Sequence, residues 1–292
     1  MFIVDSQIHL WARARIVTDE SAHHLQSDAF GQDDALREMN AAGVDRAIIV
    51  PPGWVAVPPG GTANDFALLA AREHPDRFAV MGKVRLDRPD DSLPLISGWK
   101  RQSGMLGMRL VFNKEFRHLL TSGAANWVWP YLEQADIPIM VLVPGVLDEV
   151  EGIAQRHPGL RITIDHLAVP RATRGPDAFR QIPQLLTMAK YPNLSVKASG
   201  LPANSAESYP FRDVEIHIRR VYDAYGPRRV FWGTDLTRMS CTYRQCISHF
   251  TEELSWLDGE DLELVMGRAV SEWLDWPRPI PIADERQLTE PR

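Results

Sequence analysis

The chain has 292 residues, with 32 Lys and Arg against 38 Asp and Glu, which gives a formal net charge of −6. Hydrophobic residues make up 45% and charged residues 24%, proportions that are typical of a soluble globular protein and exclude intrinsic disorder. The mildly acidic balance argues against a general affinity for nucleic acid or for an anionic membrane surface. The length suits a single α/β barrel as well as two smaller domains.

The cysteine count and the N-terminus bear on the cell compartment. Cys241 and Cys246 are the two cysteines in the sequence, too few for a secreted fold that is held by disulfides. The start, MFIVDSQIHLWARA, lacks a basic region and reaches Asp5 too early for a signal peptide. No apolar run approaches the roughly 20 residues that span a bilayer. We therefore expect a cytoplasmic protein that does not contact a membrane.

Short apolar runs alternate with longer stretches of helix-like spacing along the chain. The eight runs that predict strands are Phe2–His9, Ala47–Val50, Phe78–Val84, Met105–Phe112, Pro138–Val143, Leu160–Ile164, Leu194–Lys197 and Arg229–Trp232. Helices are predicted at Asp33–Ala42, where Gly43 ends the helix, and at Asn64–His74, Ser92–Arg101, Asn126–Ala135, Val146–His157, Ala178–Lys190 and Arg212–Tyr225.

This alternation predicts the fold class. Runs such as AIIV and IMVLV lack polar alternation, as do strands that are covered on both faces of a parallel sheet. About eight βα units indicate a (β/α)₈ TIM barrel, with a doubly wound sheet as the alternative. No strand is followed by GxGxxG or GxxxxGK[ST], which argues against nucleotide binding. The barrel is predicted to occupy residues 1–276 as a single domain and to be followed by a tail at 277–292. Residues 11–32 are predicted to form a lid or binding loop.

Polar residues end an unusual number of these strands, and in such a barrel the active site forms at the carboxyl ends of the strands. They are Gln7, His9, Lys83, Arg85, Arg109, His166, Lys197 and Asp235. Gln7 and His9 are two residues apart and therefore share a face, with Asp5 expected deeper on the same face. A purely structural histidine is the alternative for His9.

The charged residues at the strand ends suggest acid–base chemistry. A carboxylate such as Asp235 near imidazoles is suited to activating water as a general base, although Asp235 could instead cap a helix. Arg109 and Lys197 are expected to bind an anionic substrate or a developing oxyanion, with pairing to an acidic residue across the barrel as the alternative. Asp165 is expected to face away from His166 and to be structural.

Five segments in order, DSQIHLW, GMRLVF, ITIDHLAVP, LSVKASGL and RVFWGTDLTR, resemble the amidohydrolase superfamily from about Phe2 to about Trp276. They are most similar to its amidohydrolase-related (amidohydrolase 2) group, which contains fuconolactonase-like sugar lactonases and 2-pyrone-4,6-dicarboxylate lactonase. The resemblance implies a (β/α)₈ barrel. It also implies catalytic roles for Asp235, His9 and His166. Substrate contacts are expected from Gln7, Arg109, Lys197 and Arg238.

Departures from the family pattern bear on whether the site binds a metal. Zinc-dependent relatives generally place a histidine at the end of the fifth strand, where this chain has Val143 and Pro144 in MVLVPG. Gln7 stands at the first position of the family's HxH motif, and Arg109 stands where binuclear members have a lysine. His9, His166 and Asp235 could still supply three ligands to one divalent ion such as Zn²⁺. The losses favour a site without a metal, as in the lactonases.

The leading hypothesis is a hydrolase that acts on a lactone, or a related ester, of a small acidic or polyhydroxylated molecule. Trp11, Trp54 and Tyr209 are expected to shape the pocket, and the substrate is expected to be anionic. The second hypothesis is a mononuclear metal-dependent amidohydrolase or a decarboxylase of an aromatic acid. The third is a ligand-binding barrel without activity. The apolar-rich C-terminal segment SEWLDWPRPIPI is compatible with a homodimer.

Overall fold

A computed structural model describes residues 1–13, 28–53, 57 and 61–278. Eight parallel strands lie side by side in chain order and form a nearly closed barrel, which confirms the predicted (β/α)₈ fold. The strands are β1 Val4–Ile8, β2 Arg46–Ile49, β3 Phe78–Gly82, β4 Met105–Val111, β5 Ile139–Leu142, β6 Ile162–Ile164, β7 Leu194–Ser199 and β8 Val230–Gly233. Each predicted apolar run contains or overlaps one of them.

Helices follow the strands and form the outer layer. They are α1 Gln32–Ala42, α2 Asp65–Glu73, α3 Pro89–Ser97, α4 Arg117–Thr121, α5 Val128–Gln134, α6 Leu147–Arg156, α7 Ile182–Thr187, α8 Arg212–Tyr225, α9 Tyr243–Ser248, α10 Gly259–Glu263 and α11 Ala269–Trp273. Gly43 ends α1 in the left-handed conformation at φ 82°, as its position in the sequence predicts. Within the described ranges, no helix is long and apolar enough to cross a membrane.

Apolar side chains fill two separate layers. Val4, Ile48, Met81, Met140 and Phe231 belong to the cluster inside the barrel. A larger cluster lies between the outer faces of the strands and the helices. Because both faces of the strands are covered by apolar groups, the strands have the near-continuous apolar sequences from which they were predicted.

The C-terminal segment contacts the amino end of the barrel. Arg46 begins β2, and its guanidinium lies 4.5 Å from the ring centroid of Trp276 and donates to the carbonyl of Pro277 at 2.7 Å. Arg161, just before β6, donates to the carbonyl of Trp273 at 2.6 Å. These contacts cover the end of the barrel that faces away from the carboxyl ends of the strands. Trp54, most of the predicted loop at 11–32 and nearly all of the tail at 277–292 lie outside the described residues.

Asp5 lies at the junction between β8 and β1 and does not share the face of Gln7 and His9, as the sequence analysis had predicted it would. The register of β1 shifts between Asp5 and Ile8, so Asp5 does not extend the row of Gln7 and His9. Its carboxylate instead accepts hydrogen bonds from the Thr234 backbone N–H at 2.8 Å, from the Thr234 hydroxyl, and from Tyr243 of α9 at 2.7 Å. Asp5 thus joins the first strand to the segment after the last strand.

Candidate active site

The end of β1 meets the segments that follow β6 and β8 at the mouth of the barrel. His9 Nε2 lies 3.1 Å from Asp235 Oδ1, and His166 Nε2 lies 3.6 Å from Asp235 Oδ2. The amide nitrogen of Gln7 lies 3.3 Å from His9 Nε2 and 3.4 Å from His166 Nε2. All four side chains are buried. The structure therefore brings together the three residues to which the sequence assigned catalytic roles, with Gln7 between the two histidines.

Two of these side chains, His166 and Asp235, belong to residues with a left-handed backbone conformation. His166, Leu167 and Ala168 have φ angles of 53°, 52° and 59°, and Asp235 has a φ of 57°. Residues other than glycine rarely adopt this conformation, and the cost of about 1–3 kcal/mol per residue is sustained only where the surrounding structure fixes it. Such residues concentrate at functional sites, which supports the assignment of this end of the barrel as the site.

Asp165 faces the interior of the barrel, whereas the sequence analysis predicted that it faces away from the site. Thr163 is in register with Met140 of the interior cluster, and Asp165 continues the same inward row two residues later. Its carboxylate lies 2.7 Å from Lys197 Nζ and accepts at 2.9 Å from Arg109 Nε. The left-handed turn breaks the strand alternation at His166, so both neighbours reach the mouth of the barrel.

Arg109 and Lys197 consequently have a buried acidic partner, which is the alternative that the sequence left open for them. Lys197 is completely buried and Arg109 is 4% exposed. Burial by itself would raise the pKa of Asp165, but the positive charges of Lys197 and Arg109 hold that pKa far below its usual range. The NH2 nitrogen of Arg109 has no hydrogen-bond acceptor among the described residues. A substrate contact by Arg109 stays a prediction, and that nitrogen is the group that would make it.

Asp235 lies in a positive environment. Arg238 Nε is 3.3 Å and Arg171 NH2 is 3.9 Å from Asp235 Oδ2. Burial would raise the pKa of Asp235, but the positive charges of Arg171 and Arg238 hold it well below its usual range. Arg238 also donates from NH2 to the carbonyl of Gly200 at 3.0 Å, while its NH1 nitrogen has no acceptor in the described part of the chain. Asp235 is therefore a carboxylate at neutral pH.

The two histidines are neutral. Burial lowers the pKa of His9 and outweighs the opposite effect of Asp235, and burial also lowers the pKa of His166 well below its usual value. Each ring is held from its other nitrogen. His9 Nδ1 lies 2.7 Å from the carbonyl oxygen of Val50, and His166 Nδ1 lies 2.9 Å from the hydroxyl of Ser199.

The sequence analysis did not identify Arg171 or Ser199, and it wrongly placed Arg85 at the site. Arg171 follows His166 by five residues in AVPRATR, so its place in the segment after β6 was the signal that could have revealed it. Arg85 also follows a strand but is exposed and pairs with Asp87 at 2.7 Å. The hydroxyl oxygens of Tyr209 and Ser248 lie 2.9 Å apart. Trp11 is buried against the ring of Phe30. The pocket-shaping roles of Tyr209 and Trp11 stay predictions.

The donor set at the mouth does not fit a divalent metal. Gln7 turns its nitrogen, which has no free lone pair, towards the same Nε2 atoms of His9 and His166 that a metal would need. The guanidinium of Arg238 lies beside the carboxylate of Asp235 and repels a dication. Among the described residues, no group of three or more His, Cys, Asp or Glu has the geometry of a metal site. A reaction without a metal stays a prediction.

The buried charges of Asp165, Arg109 and Lys197 lead to a prediction about stability. Asp165→Asn removes the partner of two buried cations and is expected to lower the free energy of unfolding by about 3–5 kcal/mol. The pKa of Asp165 is lowered by folding, so its contribution is present above the unfolded pKa of about 3.9 and is lost as the pH falls. Urea unfolding at neutral and acidic pH measures both effects, and the variant should lose less stability in acid than the wild type.

Asp136→Asn is the matched control, because Asp136 also contacts two cations. Lys100 Nζ lies 2.7 Å and Arg161 NH2 lies 2.9 Å from its carboxylate, but the side chain is 61% exposed. Exposed pairs contribute about 0–1 kcal/mol. Equal losses in the two variants would contradict a special role for the buried charges.

Comparison with known proteins gives the family. The model of the amidohydrolase family (Amidohydro_2) matches residues 4–290. The L-fucono-1,5-lactonase of Burkholderia ambifaria is 30% identical over 275 residues, which cover 88% of this chain and 86% of that protein.

Solved structures share the fold. An amidohydrolase from Burkholderia multivorans with bound zinc is 19% identical, with a TM-score of 0.78, over 95% of this chain and all of that one. A probable 2-pyrone-4,6-dicarboxylic acid hydrolase from Acinetobacter baumannii with citric acid bound is 17% identical, with a TM-score of 0.72, over 94% of this chain and all of that one. Together with the family match over nearly the whole sequence, the barrel and the residues at its mouth lead to one conclusion: the chain belongs to the amidohydrolase family and is a hydrolase.

Proposed function

We propose that the protein hydrolyses a lactone, or a related ester, of a small acidic or polyhydroxylated molecule, with Asp235 as the general base. The observation that carries the proposal is the buried Asp235 carboxylate, whose oxygens lie beside the Nε2 atoms of His9 and His166. Neither oxygen accepts a well-formed hydrogen bond from the described residues. A buried carboxylate with free acceptor capacity is suited to orienting a water molecule and taking its proton.

The reaction follows from these groups. The oxygen of water forms a bond to the lactone carbonyl carbon while its proton passes to Asp235. The carbonyl oxygen becomes an oxyanion, and a guanidinium at the mouth stabilises it. The bond between that carbon and the ring oxygen then breaks, and the proton passes from Asp235 and the neighbouring histidines to the ring oxygen. The product is an open hydroxy acid, so atoms and charge balance without another reactant.

Arg238 is the best candidate for the residue that binds the oxyanion or a carboxylate of the substrate. Two of its nitrogens lie near Asp235 and Gly200, which fixes the plane of the guanidinium. The third, NH1, is buried and has no acceptor among the described residues. Because an unpaired buried donor is unfavourable, the substrate is expected to supply an acceptor there. This expectation supports an acidic substrate, as does the positive charge of Arg171 nearby.

The choice of lactone as the scissile group comes from the relatives. The protein that is 30% identical over most of both chains is an L-fucono-1,5-lactonase. A structural neighbour is a probable 2-pyrone-4,6-dicarboxylic acid hydrolase. A panel of sugar lactones and pyrone carboxylates, read with a pH indicator, tests the proposal directly because each turnover releases an acid. Lack of hydrolysis across both substrate classes would contradict it.

Asp235→Asn tests the general base. Asn has nearly the same shape but cannot take the proton, so kcat is expected to fall about 10²–10⁴-fold on the lactone that the panel identifies. The variant should stay folded with a lower melting temperature, because Asn removes the acidic partner of the buried Arg238 guanidinium. Steady-state kinetics and thermal unfolding measure the two effects. Near-normal kcat with a much lower melting temperature would show instead that Asp235 is structural.

Arg238→Met tests anion binding. Loss of a hydrogen bond to a charged group costs about 1.5–3 kcal/mol, which corresponds to roughly 10–100-fold in kcat/KM. Arg85→Met is the matched control, because Arg85 also follows a strand but is 63% exposed and pairs with Asp87. The control should keep the kcat/KM of the wild type. A similar loss in both variants, or none in Arg238→Met, would count against the role given to Arg238.

Chelation tests the metal-free reaction. Because the amide nitrogen of Gln7 faces both histidine Nε2 atoms, dialysis against EDTA is expected to leave kcat unchanged. Metal content is measured on the same sample before and after dialysis. Loss of activity that stoichiometric Zn²⁺ restores would overturn the metal-free mechanism and favour the metal-dependent hydrolase that the sequence left as an alternative.

A further inference from the structure

The side chain of Gln7 has a fixed orientation. Lys197 Nζ lies 2.5 Å from one end of the amide, and a lysine ammonium can only donate hydrogen bonds. That end is therefore the oxygen, Oε1. Lys197 in turn is held by Asp165 at 2.7 Å. The amide cannot rotate by 180° without placing its NH₂ group against the ammonium, so the nitrogen must face the histidines.

This orientation has a consequence for both rings. The NH₂ group of Gln7 has two hydrogens, and its nitrogen lies 3.3 Å from His9 Nε2 and 3.4 Å from His166 Nε2. One N–H is available for each ring. A ring nitrogen that accepts a hydrogen bond carries no proton, so both Nε2 atoms present lone pairs.

The contacts of the Nδ1 atom of each ring indicate the same protonation state. His9 Nδ1 lies 2.7 Å from the carbonyl oxygen of Val50, which can only accept, and therefore Nδ1 carries the proton. His166 Nδ1 lies 3.2 Å from the carbonyl oxygen of Ser199, which can only accept, and 2.9 Å from its hydroxyl, which can accept as well, so this Nδ1 also carries the proton. These contacts assign the same neutral tautomer to each histidine. Asp235 Oδ1 lies 3.1 Å from His9 Nε2 but accepts no well-formed hydrogen bond from the described residues.

We propose that Gln7 is a positioning residue that keeps the Nε2 atoms of His9 and His166 free of protons, so that together with Asp235 they form a proton-accepting cluster. The carboxylate oxygens lie 3.1 Å and 3.6 Å from these Nε2 atoms, and none of the four atoms carries a proton in the resting enzyme. A water molecule that binds there can donate a hydrogen bond to any of these four atoms. It gives one proton to the cluster when it attacks, and the cluster returns that proton to the leaving oxygen.

The inference rests on the proposed function for its catalytic part and assigns Gln7 a different task from the substrate contact expected from the sequence. Its oxygen is engaged by Lys197, and its two N–H groups are directed at the histidines. No polar group of Gln7 is then left for a substrate. The ring states can be measured in the resting protein, without a substrate.

Nitrogen NMR of the full chain with ¹⁵N-labelled histidine tests the inference at neutral pH. The signals of His9 and His166 are identified as those lost in His9→Gln and in His166→Gln. We expect a protonated Nδ1 and an unprotonated Nε2 for both rings in the wild type. A proton on Nε2 of either ring would overturn the proposal, and this measurement needs no variant at Gln7.

Gln7→Glu reverses the polarity at nearly constant size. One carboxylate oxygen can remain on Lys197, while the other faces the Nε2 atoms as an acceptor. At least one ring is expected to gain a proton on Nε2, and kcat is expected to fall about 10–100-fold, with a smaller change in KM. Thr163→Val is the matched control. It removes another buried polar group inside the barrel, one that pairs with Ser195 at 2.8 Å, and should leave both rings and kcat unchanged.

The outcomes separate the two proposals. Ring states that do not change in a folded Gln7→Glu variant would overturn the role of Gln7, whether or not the enzyme hydrolyses lactones. Failure of every lactone in the panel would overturn the proposed function and leave the expected nitrogen signals of the resting enzyme intact.

Discussion

The carboxylate of Asp165 is buried between the cations of Arg109 and Lys197 inside the barrel, and the geometry of the site depends on this contact. A buried charge is tolerated only when it is paired and hydrogen-bonded, so Asp165 cannot move without leaving both cations without their acidic partner. The ammonium of Lys197 is thereby fixed where it also meets the amide oxygen of Gln7. The electrostatics of the interior thus determine how an uncharged side chain is oriented.

From Gln7 the contacts continue to the groups that are proposed to react. Its amide nitrogen faces His9 and His166, whose Nε2 atoms lie next to the carboxylate of Asp235. The two buried carboxylates therefore have different surroundings. Asp165 is neutralised by its partners and fixes positions, whereas Asp235 retains free acceptor capacity beside Arg238. A pair of carboxylates with different surroundings is a common way for one site to separate a structural charge from a reactive one.

Gln7 also bears on the choice between a metal and a protein base. At its position the amide presents N–H groups to the two imidazoles, so the lone pairs that would hold a metal receive hydrogen bonds instead. The guanidinium groups of Arg171 and Arg238 supply positive charge near Asp235, where a Lewis acid would otherwise do so. In the proposed reaction, these guanidinium groups supply the positive charge that a metal would supply on the same fold.

The sequence by itself determined the eight strands, the (β/α)₈ topology and the end of the barrel at which the polar residues gather. Apolar runs and helix-like spacing are local patterns, and the carboxyl ends of parallel strands meet at one end of the barrel whatever the loops do. The sequence also brought forward Gln7, His9, His166 and Asp235, which the structure places in contact. Their individual roles in the reaction stay predictions.

Only the tertiary structure decided the directions of the side chains and the pairing of the charges. Strand alternation predicts orientation until a register shift or a left-handed residue breaks it, as happens after Asp5 and at His166. Those irregularities are stabilised by long-range contacts, such as that of Asp5 with Tyr243, which no local pattern reveals. For the same reason, the sequence named Arg109 and Lys197 as charges at the mouth but could not show that Asp165 neutralises them.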